Sequence, residues 1–504
     1  MASVEKQIKT VRRSPLFDRK WYQTRYTDVG RSGIDPAYHY VLYGWKEDRD
    51  PSERFSTAEY FELNSDVKRA MLCPLYHYEA YGRTEGRRFR LDPDAETETL
   101  RGRLRNAVFS AKKSIRDYPQ KVHYQMLRIN PRKVLFATYQ HQYVCNPKYI
   151  CEELLSRNLP CEIVWLCKRG GGKALSEEIS KSVRCVEFDS PEAAYEIATA
   201  KVLIENGILL FSQKQPKKRK QLNICTWHGS MGFKRIGPDT VKSAHGLYVA
   251  EMYGKVHDIV LTNSQFEDEI FRNSFWPRSE LWRIGHPRND ILFQKDPAEI
   301  QRIRENVRRK LGVPAGYKFV LYAPTFREKS RAASDCSESS KCYEMNYQRI
   351  RSALRKRFGS DWVILVRHHY CNAQNKVLNN MITLGAVAAT NYGDIQELMV
   401  AADVGITDYS SWILDFLLTG KPGFLFAADE DIYSAERGFY YALNTAPFPI
   451  AKDMDQLCEQ IESFDWDNYR SKTDAFLKEK GCVEDGSASR HVVDRIEMLL
   501  KKNS

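Results

Sequence analysis

From Lys133 onward the chain repeats one physical pattern: a short apolar run rich in β-branched residues, then a stretch with helical spacing, then another apolar run. KVLFAT, EIVWLC, VRCVEF, KVLIEN, NICTW and DIVLTNS make a first series, and KFVLYAPT, WVILVRHH, AVAAT, VGITDYS and GFLFA a second. Helical segments such as NPKYICEELLSRN, QFEDEIFRNSF, YQRIRSALRKRFG and SWILDFLLTG stand between them. Runs this apolar suit strands covered on both faces, which is the situation of parallel sheets with crossover helices. The alternation predicts an α/β fold of two Rossmann-like, doubly wound halves, residues 131–312 and 313–504. AEIQRIRENVRRKLG reads as the charged connector between them, and the last helix, SRHVVDRIEMLLKK, as a segment crossing back to the first half. Ligands of open parallel sheets bind beyond the carboxyl ends of the strands, so a cleft between the halves is the expected site.

A different regularity precedes the sheets. Phe17 recurs as Phe55, Tyr22 as Tyr60, Asp28-Val29 as Asp66-Val67, Pro36 as Pro74, His39-Tyr40 as His77-Tyr78, Gly44 as Gly82 and Arg49 as Arg87, a gapless period of 38 residues. Each unit reads as a helix carrying aromatic residues, a Gly/Asp/Pro break and a second helix ending at the glycine. His39 and His77 stand beside tyrosines at helical spacing and read as core, not as ligands. Residues 1–90 are therefore expected to be a small helical repeat module. Residues 91–130, polar and charged, are expected to be a helical linker.

Lysine and arginine total 77 against 65 aspartates and glutamates, a net charge of +12. This favours a polyanionic partner, but charge by itself does not choose among a phosphate-rich substrate, an acidic membrane face and nucleic acid. No nucleic-acid module accompanies it. The 12 cysteines contain no CxxC pair, so reduced thiols are expected and a zinc site is not. MASVEKQIKTVRRSPLF lacks an apolar core, and IATAKVLIENGILLF is interrupted by Lys201, Glu205 and Asn206, so neither a secretory leader nor a spanning helix is expected.

Three strand ends carry chemistry. NICTW delivers His228, an imidazole suited to take a proton from an attacking hydroxyl, followed by Gly229 and Ser230. WVILVRHH delivers Arg367, His368 and His369; adjacent histidines in an extended segment point to opposite sides, so at most one of the two faces the cleft. ITDYSSWILDFLLTG stops its strand at Asp408, with Ser410 expected to cap the next helix, Ser410 and Ser411 to hold a pyrophosphate, and Asp415 to accept ligand hydroxyls from the same helical face. KFVLYAPT delivers Pro324 and Thr325, and GHPRND brings Arg288 to the seam. For each segment taken alone, ordinary capping and packing account for the residues about equally well.

Taken together and in order, CNPKYICEELL, TAKVLIEN, TWHGSMGFKRIG, GHPRNDIL, YAPTFRE, ITDYSSWILDFLLTGKP and RGFYY resemble the CDP-glycerol glycerophosphotransferase family, the teichoic-acid polymerase and primase type, over roughly residues 131–500. The resemblance implies a glycosyltransferase-B arrangement, with the acceptor-side half first and the CDP-glycerol half second. It implies a cytoplasmic enzyme, peripheral on the inner, acidic face of the membrane. Such an enzyme transfers glycerol phosphate or a related polyol phosphate to a lipid-linked or polymeric acceptor, with release of CMP and no cofactor or metal. Carried over residue by residue, it makes His228 and His369 catalytic. It places Gly229, Ser230, Met231, Gly232, Arg288, Pro324, Thr325, Arg367, His368, Ser410, Ser411 and Asp415 against the donor. Two positions depart from the family pattern: Ser230-Met231 stand where Thr-Pro is usual, and His286 replaces an aromatic residue before Pro287. The amino-terminal units resemble repeats appended to bacterial surface-polysaccharide glycosyltransferases, which points to a capsule or surface polymer. A nucleotide-sugar-dependent glycosyltransferase and a non-catalytic polymer-binding protein remain open as alternatives.

Overall fold

A computed structural model describes residues 4–64, 66–67, 72–89, 120–168, 170, 181–207, 210–211, 216–239, 251, 254–325, 345–368 and 386–501. The chain divides into two compact units, one built on Met1–Ile115 and the other on Arg116–Arg327 with Ser337–Ser504. Most of the expected linker, residues 90–119, lies outside the described residues, while 120–126 form a helix.

In the first unit the 38-residue period has a direct physical cause. The Tyr22 hydroxyl meets His39 Nδ1 at 3.1 Å, and its counterpart Tyr60 meets His77 Nδ1 at 2.9 Å. The glycine closing each unit is required by that pair: a Cβ on Gly44 would collide with the Tyr22 hydroxyl, and one on Gly82 would lie 2.7 Å from that of Tyr60. Arg49 pairs with Asp28 and Arg87 with Asp66, each at 2.7 Å, so the repeated charges are used in the same way. Asp18 and Ser56 cap the first helix of each unit by accepting from Trp21 N and Glu59 N. Tyr22, Tyr40, Phe55, Tyr60 and Tyr78 fill the core. Burial pushes both histidines below the ordinary imidazole value, which keeps them neutral packing elements.

The second unit holds two sheets. β1 (Asn130–Ala137), β2 (Glu162–Cys167), β3 (Val183–Glu187), β4 (Ala200–Glu205), β5 (Leu222–Cys225), β6 (Ile259–Thr262) and β7 (Glu280–Arg283) pair in parallel in the order β3-β2-β1-β4-β5-β6-β7. β8 (Tyr317–Tyr322), β9 (Asp361–Val366), β10 (Ala386–Ala388), β11 (Val404–Thr407), β12 (Gly423–Phe426) and β13 (Ile450–Ala451) pair in parallel as β10-β9-β8-β11-β12-β13. The strand order reverses between β1 and β4 and again between β8 and β11, the points where open sheets leave a crevice beyond their carboxyl ends. Two strands, β7 and β13, are additional to those read from the sequence.

Alternation along β1 sends Val134 and Phe136 to one core cluster and Leu135 and Ala137 to another, which is why these runs are apolar throughout. The last helix, Ala488–Lys501, contributes Val492, Val493, Ile496 and Leu500 to the cluster of Val134, Phe136 and Trp165, so it packs on the first sheet. Its amino terminus is capped from the seam: Asp290 accepts from Ala488 N at 2.9 Å and Ser489 N at 2.7 Å. The connector helix Pro297–Leu311 instead puts Ile303 and Val307 into the core of the second sheet. Among the described residues no helix is long and apolar enough to cross a membrane.

Candidate active site

His228 follows β5 by three residues and is exposed, whereas its neighbour Trp227 is buried against Phe271, Phe275 and Trp276. Trp227 has φ +52, a left-handed turn that a bulky residue adopts only when its surroundings hold it there. The turn carries the imidazole out of the sheet while its tryptophan neighbour anchors the base. His228 Nδ1 lies 2.9 Å from the carbonyl oxygen of Asn206, the residue after β4. A carbonyl oxygen only accepts, so Nδ1 carries the proton and Nε2 is the basic nitrogen of the neutral ring. Thr226 N donates to Glu205 O at 2.7 Å and Asn146 Nδ2 to Thr226 O at 2.8 Å, fixing the backbone from which the histidine projects.

The residues after His228 belong physically to the later lobe. Met231 and Phe233 are buried in the core of the second sheet. A Cβ on Gly232 would lie 3.2 Å from Ser411 Cβ, a tight contact that the glycine avoids where this loop meets the start of the helix Trp412–Phe416. The RGFYY segment completes the clamp: Tyr440 N donates to Phe233 O at 2.7 Å, the Tyr441 hydroxyl to Met231 O at 2.6 Å, and Lys234 bridges Phe439 in antiparallel fashion. The strand end that delivers His228 is thus joined through Gly232 to the strand end that delivers Ser411.

Beneath this loop lies a buried polar network. Arg288 and Asp415 side chains are each 4% exposed and pair at 3.0 Å. Arg288 also donates to the Gly229 carbonyl at 2.5 Å, and its backbone amide donates to Asn146 Oδ1 at 3.0 Å. Asn289 Nδ2 reaches the other Asp415 oxygen at 3.0 Å. The aspartate holds the guanidinium well above its ordinary value despite burial, which pulls the other way. The sequence points this arginine at phosphate and this aspartate at ligand hydroxyls; in the structure the two bond each other. The physical reason is their depth, since two opposite charges removed from water are stable together and neither is alone. His286 is fully buried with Nε2 3.1 Å from Glu267, a packing role for the residue that departs from the family pattern.

In the later lobe Asp408 gathers the strand ends. Its Oδ1 accepts from Thr325 N at 2.8 Å and Tyr409 N at 2.5 Å, which draws the Pro324-Thr325 turn after β8 against the end of β11. Ser411, not Ser410, occupies the N-cap position, and it makes no side-chain capping bond. The helix start is held instead by Trp412 Nε1, which donates to Ala323 O at 2.9 Å. Arg367 turns its guanidinium onto carbonyls of the loop after β10, at 3.3 Å to Ala389 and 3.4 Å to Gly393 and more closely to Tyr392. His368 is buried, and desolvation pushes it down to about 4, so it is neutral at physiological pH. His369 lies outside the described residues. Among the described residues no group of three or more His, Cys, Asp or Glu side chains is placed to hold a metal ion.

Asn146, Asn206, Asn263, Asn289 and Glu484 were not singled out from the sequence, although each bonds a site residue or its support. Asn146, Asn206 and Asn289 lie inside the CNPKY, KVLIEN and PRND segments, where an amide beside a candidate charge was the available signal. Glu484 had none.

The family model described as CDP-Glycerol:Poly(glycerophosphate) glycerophosphotransferase matches residues 120–498. The teichoic acid poly(glycerol phosphate) polymerase of Staphylococcus epidermidis is 28% identical over 392 residues, covering 74% of this chain and 52% of that protein. The protein of the same name from Bacillus spizizenii is 27% identical over 386 residues, covering 74% of this chain and 93% of that one. The chain therefore spans about half the length of the first relative and most of the second. A solved structure of the wall teichoic acid polymerase TagF superposes with a TM-score of 0.63 at 26% identity, over 80% of this chain and 99% of that one. A histidine-to-asparagine variant of TagF soaked with CDPG gives a TM-score of 0.64 at 26% identity over the same shares. With one family model spanning both parallel sheets and the seam between them, this α/β chain of glycosyltransferase-B type belongs to the CDP-glycerol:poly(glycerophosphate) glycerophosphotransferase family.

Proposed function

We propose that the protein transfers glycerol phosphate, or a related polyol phosphate, from a CDP-activated donor to a hydroxyl of a lipid-linked or polymeric acceptor, in the synthesis of a teichoic-acid-like or capsular polymer. The observation that carries this reading is the tautomer of His228. A backbone carbonyl holds the proton on Nδ1, so Nε2 is the base beside a loop seated on the donor-side lobe. Nε2 takes the acceptor hydroxyl's proton as the oxygen attacks the phosphorus bearing the polyol. A new O–P bond forms, the P–O bond to the cytidylyl phosphate breaks, and CMP leaves with the electron pair.

The donor spans Gly229 to Gly232 on one side and Pro324, Thr325, Ser410 and Ser411 on the other. Arg367 supplies positive charge while shaping the 389–393 loop, and neutral His368 stands at the same strand tip. His369 assists at the pyrophosphate, as the family resemblance implies. Arg288 and Asp415 act as a pair, Arg288 holding the Gly229 carbonyl in place. The protein works at the inner, acidic face of the membrane, where its +12 charge favours contact.

Incubation with CDP-glycerol, CDP-ribitol and UDP- or GDP-sugars, with mass analysis of nucleotide and polymer, tests the reading. CMP released together with a polyol phosphate added to the acceptor is the expected result. A nucleoside diphosphate with a sugar added would replace this reading by glycosyl transfer, and failure to bind any cytidine nucleotide would replace it by a non-catalytic role.

A further inference from the structure

Glu484 arrives from the segment between the later lobe and the last helix, and its carboxyl is buried at the point where three other segments meet. Its Oε1 accepts from Asn289 Nδ2 at 2.8 Å, Asn263 Nδ2 at 3.1 Å and His286 N at 3.1 Å. Each amide uses its second hydrogen on the site: Asn263 donates to the Ser230 hydroxyl at 2.9 Å, and Asn289 donates to Asp415 at 3.0 Å. Asp415 in turn holds Arg288, which holds the Gly229 carbonyl. One carboxyl oxygen therefore reaches both ends of the 229–230 turn by separate routes, through Asn263 to Ser230 and through Asn289, Asp415 and Arg288 to Gly229.

We propose that Glu484 is the positioning residue that sets the His228 turn and the Asp415–Arg288 pair relative to one another. This rests on the transfer reaction proposed above.

The carboxyl is drawn two ways: the three donors on Oε1 favour its ionised form, and burial opposes it. Glu484 Oε2, Asn263 Oδ1 and Asn289 Oδ1 are all buried without a hydrogen-bond partner among the described residues. The nearby Asp415 carboxylate adds a like charge, which sides with burial. The charged and titratable groups acting on Glu484 are His286 and Asp415, with Arg288 behind Asp415, Glu267 behind His286 and Cys482 on its own segment. Desolvation, only partly offset by His286 and the two amides, pushes Glu484 up to about 7. The folded value lies above the ordinary glutamate value, so the stability it contributes is complete below about 4.5 and is lost as pH rises through about 7.

The test compares Glu484→Gln, which keeps an acceptor and adds a permanent donor, with Glu484→Ala, following CMP release and the thermal midpoint between pH 5.5 and 8.5. Expected are a fall in kcat of about 10²-fold in Glu484→Ala and rescue of most of the turnover in Glu484→Gln. The Gln variant is also expected to lack the wild-type decline in kcat and midpoint as pH rises through about 7. Equal losses in both variants, or wild-type turnover in Glu484→Ala, overturn the proposal. Should the alanine variant fail to fold, the pH profile of the glutamine variant decides alone: a flattened profile supports the proposal and an unchanged one overturns it. If the wild-type protein releases no CMP, the transfer reading falls, while the pH dependence of the midpoint still reports whether Glu484 is held neutral.

Discussion

His39 and His77 in the repeats and His228 after β5 are the same side chain placed under opposite physical rules. The first two are buried, joined to tyrosine hydroxyls and backed by glycines. The third is exposed, held by one nitrogen to a backbone carbonyl and lifted by a left-handed tryptophan. An imidazole surrounded by its own fold stabilises; an exposed imidazole bonded to a backbone carbonyl at a strand end suits the proton transfer proposed above. The neighbours make that difference, since burial lowers the basicity of the first two.

Substitutions sharpen the contrast. His228→Ala is expected to lower the rate of CMP release by about 10²–10⁴-fold, the usual contribution of a general base, while the thermal midpoint stays near wild type. His39→Ala should do the reverse, costing about 1–3 kcal/mol of unfolding free energy by stranding the Tyr22 hydroxyl, with turnover per folded molecule unchanged. Wild-type turnover in the first variant, or lost turnover in the second, breaks the comparison.

Asp415→Ala is expected to cost about 3–5 kcal/mol in denaturant unfolding, because buried Arg288 is left without its counter-charge. A loss of donor affinity at unchanged stability would return Asp415 to a direct ligand role. Gly44→Ala should destabilise by about 1–3 kcal/mol through the clash with the Tyr22 hydroxyl, and Gly82→Ala by less, since its contact is longer. The smallest effect belongs to the repeated ion pairs. Asp28→Asn should change stability by about 1 kcal/mol or less, because its carboxylate is largely in solvent, and less still in high salt.

Much of the architecture was legible in the sequence for one reason: strands of a parallel sheet are buried on both faces and must be apolar along their whole length. The buried runs 134–137 of β1, 163–167 of β2, 202–204 of β4 and 319–322 of β8 meet that condition. β7 and β13 escaped notice because they are edge strands, one with a single buried residue among four and the other only two residues long. The capping serine was misplaced by one residue because Trp412, anchored to Ala323 across the sheet, sets where that helix begins.

Local chemistry along the chain thus determined two parallel sheets, a stacked aromatic repeat and the strand ends that carry reactive groups, because burial and backbone periodicity act over a few residues. Tertiary structure alone decided which charges face one another. Arg288 and Asp415 are 127 positions apart and Asn263 and Glu484 are 221 apart, yet both pairs bond in one buried network. Pairing across such distances depends on which surfaces two lobes bring together, and no local pattern of residues encodes it.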